Sequence, residues 1–221
     1  SSADDKVRCL DAATGIVRWA CFTEGPVRLA PTVSEGRVYV GSDDGCVYCL
    51  AASDGALLWR RRLAPADRRV PGNGRMISAW PVRTGVLVAD GTAYACAGLF
   101  PTEGIEIHAL RADDGSPVWS RGSGDISPQG YLLASSGHLF VPSGRTAPVQ
   151  VRRSDGGGEA LVSGSGGSFA LLTAGAIATG PGRVRGEVAV SDAETRERIA
   201  SFQGIRMVAH AGRAWIVSTD S

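Results

Sequence analysis

LDAATGIVRW, at residues 10–19, recurs as LAASDGALLW at residues 50–59 and as LRADDGSPVW at residues 110–119. Each copy begins with leucine, has glycine at its sixth position and ends with tryptophan. The first two copies start 40 residues apart. A recurrence of about this length is typical of proteins built from tandem structural repeats.

Two divergent copies continue the pattern towards the C-terminus. VRRSDGGGEA starts at Val151 and VSDAETRERI starts at Val190, with Ala160 and Ile199 near the tryptophan position. The second unit is the longest, because it carries an insertion near residues 63–82. We therefore predict one repeat domain, or a segment of one, over residues 1–221, with repeat units at residues 5–44, 45–103, 104–144, 145–185 and 186–221.

A second recurring segment precedes each turn and indicates the secondary structure. GRVYVGSDDGCVYCL starts at Gly36, GTAYACAG at Gly91 and GHLFVPSG at Gly137. Alternating side chains rich in Val, Tyr and Phe, bounded by Gly, Asp and Ser, are typical of short antiparallel strands joined by hairpins. A four-stranded sheet repeated every 40 residues or so is the pattern of a β-propeller blade. The predicted fold is all-β, a β-propeller of four-stranded antiparallel blades.

About five repeats are compatible with two arrangements of the blades. They could form a small closed ring, or a partial arc of a larger ring with seven or eight blades. We favour the arc, because the first repeat starts inside a blade, as expected for part of a longer polypeptide.

Composition and charge exclude several classes of protein. The chain has 221 residues, of which 43% are hydrophobic, enough to bury a core and to exclude a disordered chain or a mini-protein. Lys and Arg total 23 against 22 Asp and Glu, so the net charge of +1 gives no global field for nucleic acid. The apolar stretch at residues 169–180 is shorter than the roughly 18 residues of a transmembrane helix. We expect neither a nucleic-acid partner nor a transmembrane segment.

The insertion carries the strongest local charge. Seven arginines, at positions 60, 61, 62, 68, 69, 75 and 83, accompany a single acidic residue, Asp67. Insertions in repeat proteins often form the binding face, guanidinium groups suit carboxylate, phosphate or sulfate, and Trp80 could stack on a sugar or a base. The alternative, which charge runs generally favour, is a loop whose arginines pair with acidic groups of adjacent blades while Trp80 caps the core. The predicted partner-binding residues are Arg68, Arg69, Asn73, Arg75 and Trp80.

The five cysteines do not indicate a metal or redox site. Cys46 and Cys49 form a C-x-x-C pattern, but on a predicted strand their side chains point to opposite faces. Cys9 and Cys49 occupy the same repeat position, which Ala109 fills in the third copy. This position therefore requires only a small buried residue.

Other residue types that could carry chemistry are equally dispersed. The acidic turns at residues 43–45 and 113–115 lack the further oxygen ligands of a calcium loop and are predicted to be hairpin turns. No known catalytic fingerprint is present. We predict no catalytic, cofactor-binding or metal-binding residue, and the three histidines, His108, His138 and His210, show no spacing that suggests metal ligation.

The repeated L-[DA]-A-x-[TD]-G-x-x-x-W motif resembles the repeat of the pyrroloquinoline-quinone (PQQ) type propellers over residues 5–60 and 104–121. That superfamily includes quinoprotein alcohol dehydrogenases, a periplasmic lipoprotein scaffold of the outer-membrane assembly machine, and many uncharacterised bacterial proteins. The resemblance implies a periplasmic or extracellular location. It also implies that three tryptophans dock neighbouring blades and bind no cofactor: Trp19, Trp59 and Trp119.

Segments within and after the insertion show a related resemblance. APADRR at residues 64–69, GRMISAWPV at residues 74–82 and VLVADGTAYACAG at residues 86–98 are similar to a segment of large secreted PQQ-like repeat proteins from bacteria. The resemblance implies no settled activity.

Two functions remain open at this point. The first is a non-catalytic scaffold or binding module, with no cofactor, that presents loops to a protein or glycan partner, alone or within a longer polypeptide. The second is a fragment of a PQQ-dependent dehydrogenase, in which the resemblance implies PQQ over the central channel with calcium and a catalytic aspartate. No residue here aligns with those metal ligands or that base, and the adjacent cysteine pair of the dehydrogenases is absent. The sequence favours the first function, without enzymatic activity.

Overall fold

The computed structural model describes residues 4–72, 74–124, 126–144, 146–162, 166–173, 175–181, 186–210 and 213–218. Regular structure in these ranges is β-strand apart from one short 3₁₀ turn, Pro101–Glu103. The chain divides into two compact units, Ser1–Leu132 and Leu133–Ser221.

The first unit contains two complete four-stranded sheets, β3-β4-β5-β6 and β9-β10-β11-β12. It also contains a two-stranded sheet, β1-β2, and a separate hairpin, β7-β8, which lies within the insertion. The strands are β1 (Lys6–Leu10), β2 (Val17–Phe22), β3 (Thr32–Ser34), β4 (Arg37–Gly41), β5 (Cys46–Ala51), β6 (Leu57–Arg62), β7 (Arg69–Gly72), β8 (Arg75–Ser78), β9 (Leu87–Ala89), β10 (Thr92–Ala97), β11 (Ile105–Arg111) and β12 (Pro117–Ser123).

The second unit repeats the same plan with two four-stranded sheets, β13-β14-β15-β16 and β17-β18-β19-β20, and a two-stranded sheet, β21-β22. Its strands are β13 (Leu133–Ala134), β14 (His138–Ser143), β15 (Thr146–Arg152), β16 (Ala160–Leu161), β17 (Ala170–Thr173), β18 (Ala176–Thr179), β19 (Glu187–Asp192), β20 (Arg198–Gln203), β21 (Arg206–His210) and β22 (Arg213–Val217).

All pairings within these sheets are antiparallel, and sequential strands are neighbours. The predicted fold class, an all-β protein of four-stranded antiparallel propeller blades, is confirmed. Each sequence repeat supplies the third and fourth strands of one sheet and the first and second strands of the next. The repeat at residues 5–44, for example, contains β1 and β2 and then β3 and β4.

The repeated motif forms the turn between the third and fourth strands, followed by a β-bulge. Cys9 pairs with Trp19, Cys49 with Trp59 and Ala109 with Trp119, and the register shifts at the next residue in all three. A bulge at this point adds local twist to the outer strand. A small residue, cysteine or alanine, therefore pairs with each tryptophan. Cys49 and Ala109 are buried, as predicted for this position, whereas Cys9 is half-buried.

The fifth copy of the motif begins one residue later than the sequence alignment indicates. Val190 pairs with Ala200, so Ala200 occupies the tryptophan position and Ile199 is the bulged residue. The cause is the turn, where Arg196 adopts φ 67° at the position that Gly15 fills with φ 70°. A non-glycine residue in this left-handed region is uncommon, so the turn is not recognisable from its sequence.

Strand β5 contributes to two separate cores. Val47 and Cys49 pack in one cluster with Trp59, whereas Cys46 and Tyr48 pack in another on the opposite face of the sheet. Both cysteines are buried and free. The prediction that the C-x-x-C side chains point to opposite faces is confirmed.

Candidate functional site

The tryptophan that ends each of the first two motifs docks on the next sheet. The indole Nε1 of Trp19 donates to the carbonyl oxygen of Ala52 at 3.0 Å, and that of Trp59 donates to Ala112 at 3.1 Å. The indole of Trp59 also lies against Gly115, where a Cβ atom would be 2.6 Å from its Cε3. Trp119 makes a tilted ring contact with Tyr94 at 6.1 Å.

In the second unit, Ala160 occupies the tryptophan position, and a glutamine makes the equivalent hydrogen bond to the next sheet. The Nε2 of the buried Gln150, which pairs with Ala160, donates to the carbonyl oxygen of Ala193 at 2.8 Å. Sequence reasoning missed this residue. The available signal is a lone amide in the otherwise apolar centre of TAPVQVR.

The insertion folds as the hairpin β7-β8 and is seated on the turn between β4 and β5. The backbone N–H of Ser78 donates to the carbonyl of Asp43 at 2.7 Å, and that of Val82 donates to Ser42 at 3.0 Å. The hairpin, the β4-β5 turn and the loop at residues 23–31 thus form one face of the first unit, which we call the hairpin face.

Arginines and carboxylates are matched on the hairpin face. Seven arginines form ion pairs with six carboxylates, so most of the positive charge concentrated along the sequence is balanced in space. Arg61 has no carboxylate partner within the described residues. The pairs join Arg28 and Arg83 to Asp43, Arg60 to Glu24 and Asp44, Arg62 to Asp67, Arg68 to Glu103, Arg69 to Glu24 and Asp67, and Arg75 to Asp5.

Asp43 is the buried centre of this network. Its side chain is 0% exposed, and its Oδ2 lies 2.8 Å from Arg28 Nη2. Arg83 donates from Nε to Oδ1 at 3.1 Å and from Nη2 to Oδ2 at 3.2 Å. Two-pronged contacts of this kind fix the geometry of both partners. Asp43 therefore holds the base of the hairpin face in one arrangement.

The carboxylate of Asp44 is also fully hydrogen-bonded by neighbouring groups. Its carboxylate accepts hydrogen bonds from the hydroxyl of Tyr48 and from the backbone N–H of Cys46, and it pairs with Arg60. Burial, and then the hydrogen bond to Asp44, raise the pKa of Tyr48 well above its usual value. The hydrogen bond to Glu24 raises the pKa of Arg60.

The structure brings two of the predicted partner-binding residues into direct contact. Trp80 is half-buried, its Nε1 donates to the carbonyl of Glu103 at 2.6 Å, and the guanidinium of Arg68 lies 4.9 Å from its ring centre. Arg69 and Arg75 lie on the two strands of the hairpin and pair with different carboxylates. Asn73 lies outside the described residues. A binding role for these five residues stays a prediction.

The buried carboxylates of Asp43 and Asp44 do not fit a calcium ion. Calcium needs six to eight oxygen ligands, whereas the oxygens of Asp43 and Asp44 already accept bonds from guanidinium, hydroxyl or amide groups. In the ranges that the structure describes, no group of three or more His, Cys, Asp or Glu side chains could hold a metal ion. The same ranges contain no helix that is both long and apolar enough to cross a bilayer.

Buried thiols and one buried imidazole have shifted pKa values. Burial raises the pKa of Cys49 to about 11 and that of Cys96 to about 12, which disfavours the reactive thiolate. Burial, aided by Arg61, lowers the pKa of His108 to about 4. The Nε2 of His108 lies 3.2 Å from Glu106 Oε2 but makes no hydrogen bond within the described residues. Sequence reasoning missed this burial.

A family model described as "PQQ_2: Outer membrane protein assembly factor BamB" matches residues 1–219. The chain belongs to this family. The resemblance to PQQ-type propellers, and to the outer-membrane assembly scaffold among them, is thereby confirmed.

Two curated relatives of the chain have names that indicate different functions. Outer membrane protein assembly factor BamB of Yersinia pestis is 24% identical over 161 residues, which cover 71% of the chain and 38% of that protein. Polyvinylalcohol dehydrogenase of a Sphingopyxis species is 26% identical over 140 residues, which cover 61% of the chain and 20% of that protein. The chain thus spans well under half the length of either relative.

Solved structures show the same fold. BamB from Moraxella catarrhalis superposes with a TM-score of 0.63 at 20% identity, covering 93% of this chain and 60% of that one. Quinohemoprotein alcohol dehydrogenase from Comamonas testosteroni gives a TM-score of 0.67 at 14% identity, covering 91% and 40%. Because an assembly factor and an alcohol dehydrogenase share this fold, the fold alone does not assign an activity.

Proposed function

We propose that this BamB-type chain is a non-catalytic propeller module that binds a protein partner through its hairpin face. The observation that carries the proposal is the hairpin β7-β8, an addition to the blade repeat that is anchored on the buried Asp43. Anchoring by Arg28 and Arg83 lowers the entropic cost of ordering the face when a partner binds.

The exposed part of the hairpin has the composition of a protein interface. Met76 is 53% exposed, and the side chains of Arg69 and Arg75 are each 43% exposed. Met and Arg are enriched in protein interfaces. Exposed ion pairs contribute only about 0–1 kcal/mol each, so acidic groups of a partner could take over these two arginines at little cost.

A protein partner is favoured over a glycan by the environment of Trp80. Sugar recognition usually needs an open aromatic face, whereas Arg68 covers one face of this ring and the ring edge is hydrogen-bonded to Glu103. The likeness to outer membrane protein assembly factor BamB supports a periplasmic or extracellular location and a role in protein assembly.

Site-specific photocrosslinking tests the proposal. A photoreactive amino acid in place of Met76 should give discrete protein adducts in the bacterial envelope. The same amino acid in place of Ser53, in the turn at the other end of strand β5, should give none. Arg69→Glu combined with Arg75→Glu should abolish the adducts, whereas Arg152→Glu in the second unit should leave them. Equal adducts from positions 76 and 53 would contradict the proposal.

The second candidate is a part of a PQQ-dependent dehydrogenase, which the similarity to polyvinylalcohol dehydrogenase favours. It is tested by titrating the purified chain with PQQ and calcium while absorbance and melting temperature are recorded. Saturable binding that raises the melting temperature would support this candidate against the scaffold. Unchanged melting would support the scaffold.

A further inference from the structure

A small cavity beside the insertion has the features of a site for a positively charged group. It measures about 40 Å³ and lies between the segment that carries β7 and β8 and the sheet β9-β10-β11-β12. A cavity needs roughly 10–15 Å³ to hold one water molecule, so this one admits a small polar group. Its walls are formed by Pro65, Trp80, Ala97, Glu103, Gly104 and Glu106.

Two glutamates line the cavity, and only one of them has a cationic partner. The carboxylate of Glu103 pairs with Arg68. Glu106 forms no ion pair with Arg or Lys within the described residues, and its Oε2 lies 3.2 Å from Nε2 of His108. With a pKa lowered to about 4, the imidazole of His108 is uncharged at neutral pH. The side chain of Glu106 is 42% exposed, so its uncompensated charge is open to a cation from outside.

His108 provides an independent observation at the same place. Glu106 and His108 are two residues apart on β11, so their side chains lie on the same face of the sheet. His108 is only 8% exposed, and its Nε2 has no hydrogen-bond partner within the described residues. A buried polar atom without a partner is unfavourable. A ligand with several N–H donors would serve this nitrogen and the Glu106 carboxylate together.

The chain itself shows that the surroundings attract cations. The guanidinium of Arg68 lies 4.9 Å from the ring centre of Trp80 and pairs with the carboxylate of Glu103. An aromatic ring next to a carboxylate is a favourable environment for a positive charge. Arg68 is not among the cavity walls, and the cavity is small. A second cation at this place therefore needs a compact head group, such as an ammonium, rather than a planar guanidinium.

We propose that the cavity binds the ammonium group of a lysine side chain on the protein partner. The ammonium donates to Glu106 and to Nε2 of His108, and the last methylene of the lysine packs against Trp80. This inference rests on the proposed function, because the same partner contacts the hairpin face. The partner surface thus combines acidic groups for Arg69 and Arg75 with a lysine for Glu106.

NMR titration of the full chain with small probes tests the cavity without the partner. The probes are the N-acetyl, N-methylamide derivatives of lysine, norleucine and arginine, and the signal is the indole N–H of Trp80, assigned with Trp80→Phe. The lysine probe should shift this signal saturably, whereas the norleucine probe, which has no charge, should not. The arginine probe should bind about tenfold more weakly, because its planar head group is larger than an ammonium.

Two isosteric variants show whether the shift comes from the cavity. Glu106→Gln should weaken binding of the lysine probe by about tenfold or more, because it removes the charge and keeps the shape. Glu35→Gln is the control, since Glu35 is an exposed carboxylate in the turn between β3 and β4, and it should leave binding unchanged. Both variants should keep the parent melting temperature. The proposal is overturned by the absence of a saturable shift, by equal binding of the norleucine or arginine probe, or by equal weakening in both variants.

Photocrosslinking from position 76 separates this inference from the proposed function. Glu106→Gln should reduce the adducts several-fold, and Glu35→Gln should leave them unchanged. Undiminished adducts in Glu106→Gln would overturn the lysine contact but leave the hairpin face as the binding surface. If the parent chain gives no adducts at position 76, the proposed function fails, and the NMR titration still decides whether the cavity takes an ammonium group.

Discussion

The indole of Trp59 packs against the backbone of Gly115 across the boundary between two blades of the first unit, and it leaves no space there for a side chain. The indole is only 9% exposed, and it lies where a side chain on Gly115 would have to be. The same glycine has φ 71°, in the region that only glycine adopts readily. This contact explains why glycine and tryptophan recur together in the repeat.

Replacing this tryptophan tests its role as an anchor between blades. Trp59→Ala should lower the free energy of unfolding by about 3–5 kcal/mol, because it leaves a cavity and removes the hydrogen bond to Ala112. Chemical denaturation measures the change, with Trp215→Ala as the control at a tryptophan that is 53% exposed. A loss below about 1 kcal/mol would show that Trp59 is not an anchor.

His108 should make stability depend on pH in a defined window. Its pKa of about 4 in the folded chain is below the ordinary value of about 6.5, so between these values the unfolded chain binds more protons. Stability from the neutral imidazole is complete above about pH 6.5 and falls as pH decreases towards and below 4, by on the order of 3 kcal/mol in total.

Urea denaturation at pH 7 and pH 5 measures this effect. The free energy of unfolding should be lower at pH 5, and His108→Gln should remove most of the difference. An equal pH dependence in the wild-type chain and the variant would show that other groups cause it.

At the scale of elements, the hairpin β7-β8 is bonded through the N–H of Ser78 to the main-chain carbonyl of Asp43, whose buried carboxylate is held by Arg28 and Arg83. Asp43→Asn should destabilise the chain by about 3–5 kcal/mol, because Arg28 and Arg83 lose their common carboxylate. Asp67→Asn is the control, since the side chain of Asp67 is 61% exposed and its ion pairs should contribute less than about 1 kcal/mol. Thermal and urea unfolding compare the two variants, and similar losses would contradict a special role for Asp43.

The same hairpin shows where sequence reasoning succeeds and where it stops. The repeat length located the insertion, and the general behaviour of charge runs favoured arginines that pair with acidic groups elsewhere, but the sequence did not identify those partners. The partners of Arg75, Arg60 and Arg68 lie 70, 36 and 35 residues away along the chain. Such distant partners become neighbours only when the sheets pack, so local composition could not reveal them.

Alternation was a sufficient guide to the strands, and the motif to the register in the first three copies. The register predicted from the motif was wrong by one residue in the fifth copy, because Arg196 has the backbone conformation expected of glycine. The burial of His108 was also missed, since a histidine in an alternating strand gives no sign of how deeply the neighbouring sheet covers it.

At the scale of the whole molecule, the repeats should differ in local stability. Strand β5 is buried along most of its length, whereas β17 is at most half-buried and β20 is mainly exposed. Because each blade is stabilised by its neighbours, loss of the docking tryptophan should weaken the later repeats. Native-state hydrogen exchange should therefore be faster in β17–β20 than in β3–β6. Equal protection in the two sheets would contradict this expectation.

The joints between sheets have a consequence for how such a chain can evolve. At each joint described above, the acceptor is a main-chain carbonyl at the same place in the turn, on Ala52, Ala112 or Ala193. A point mutation changes a side chain but leaves the peptide oxygen in place. Only the donor depends on the side chain, and it differs between the joints: it is an indole on Trp19 and Trp59 but a carboxamide, on a different strand, on Gln150. A main-chain acceptor of this kind allows the repeats to differ in sequence while their spacing and stacking stay the same.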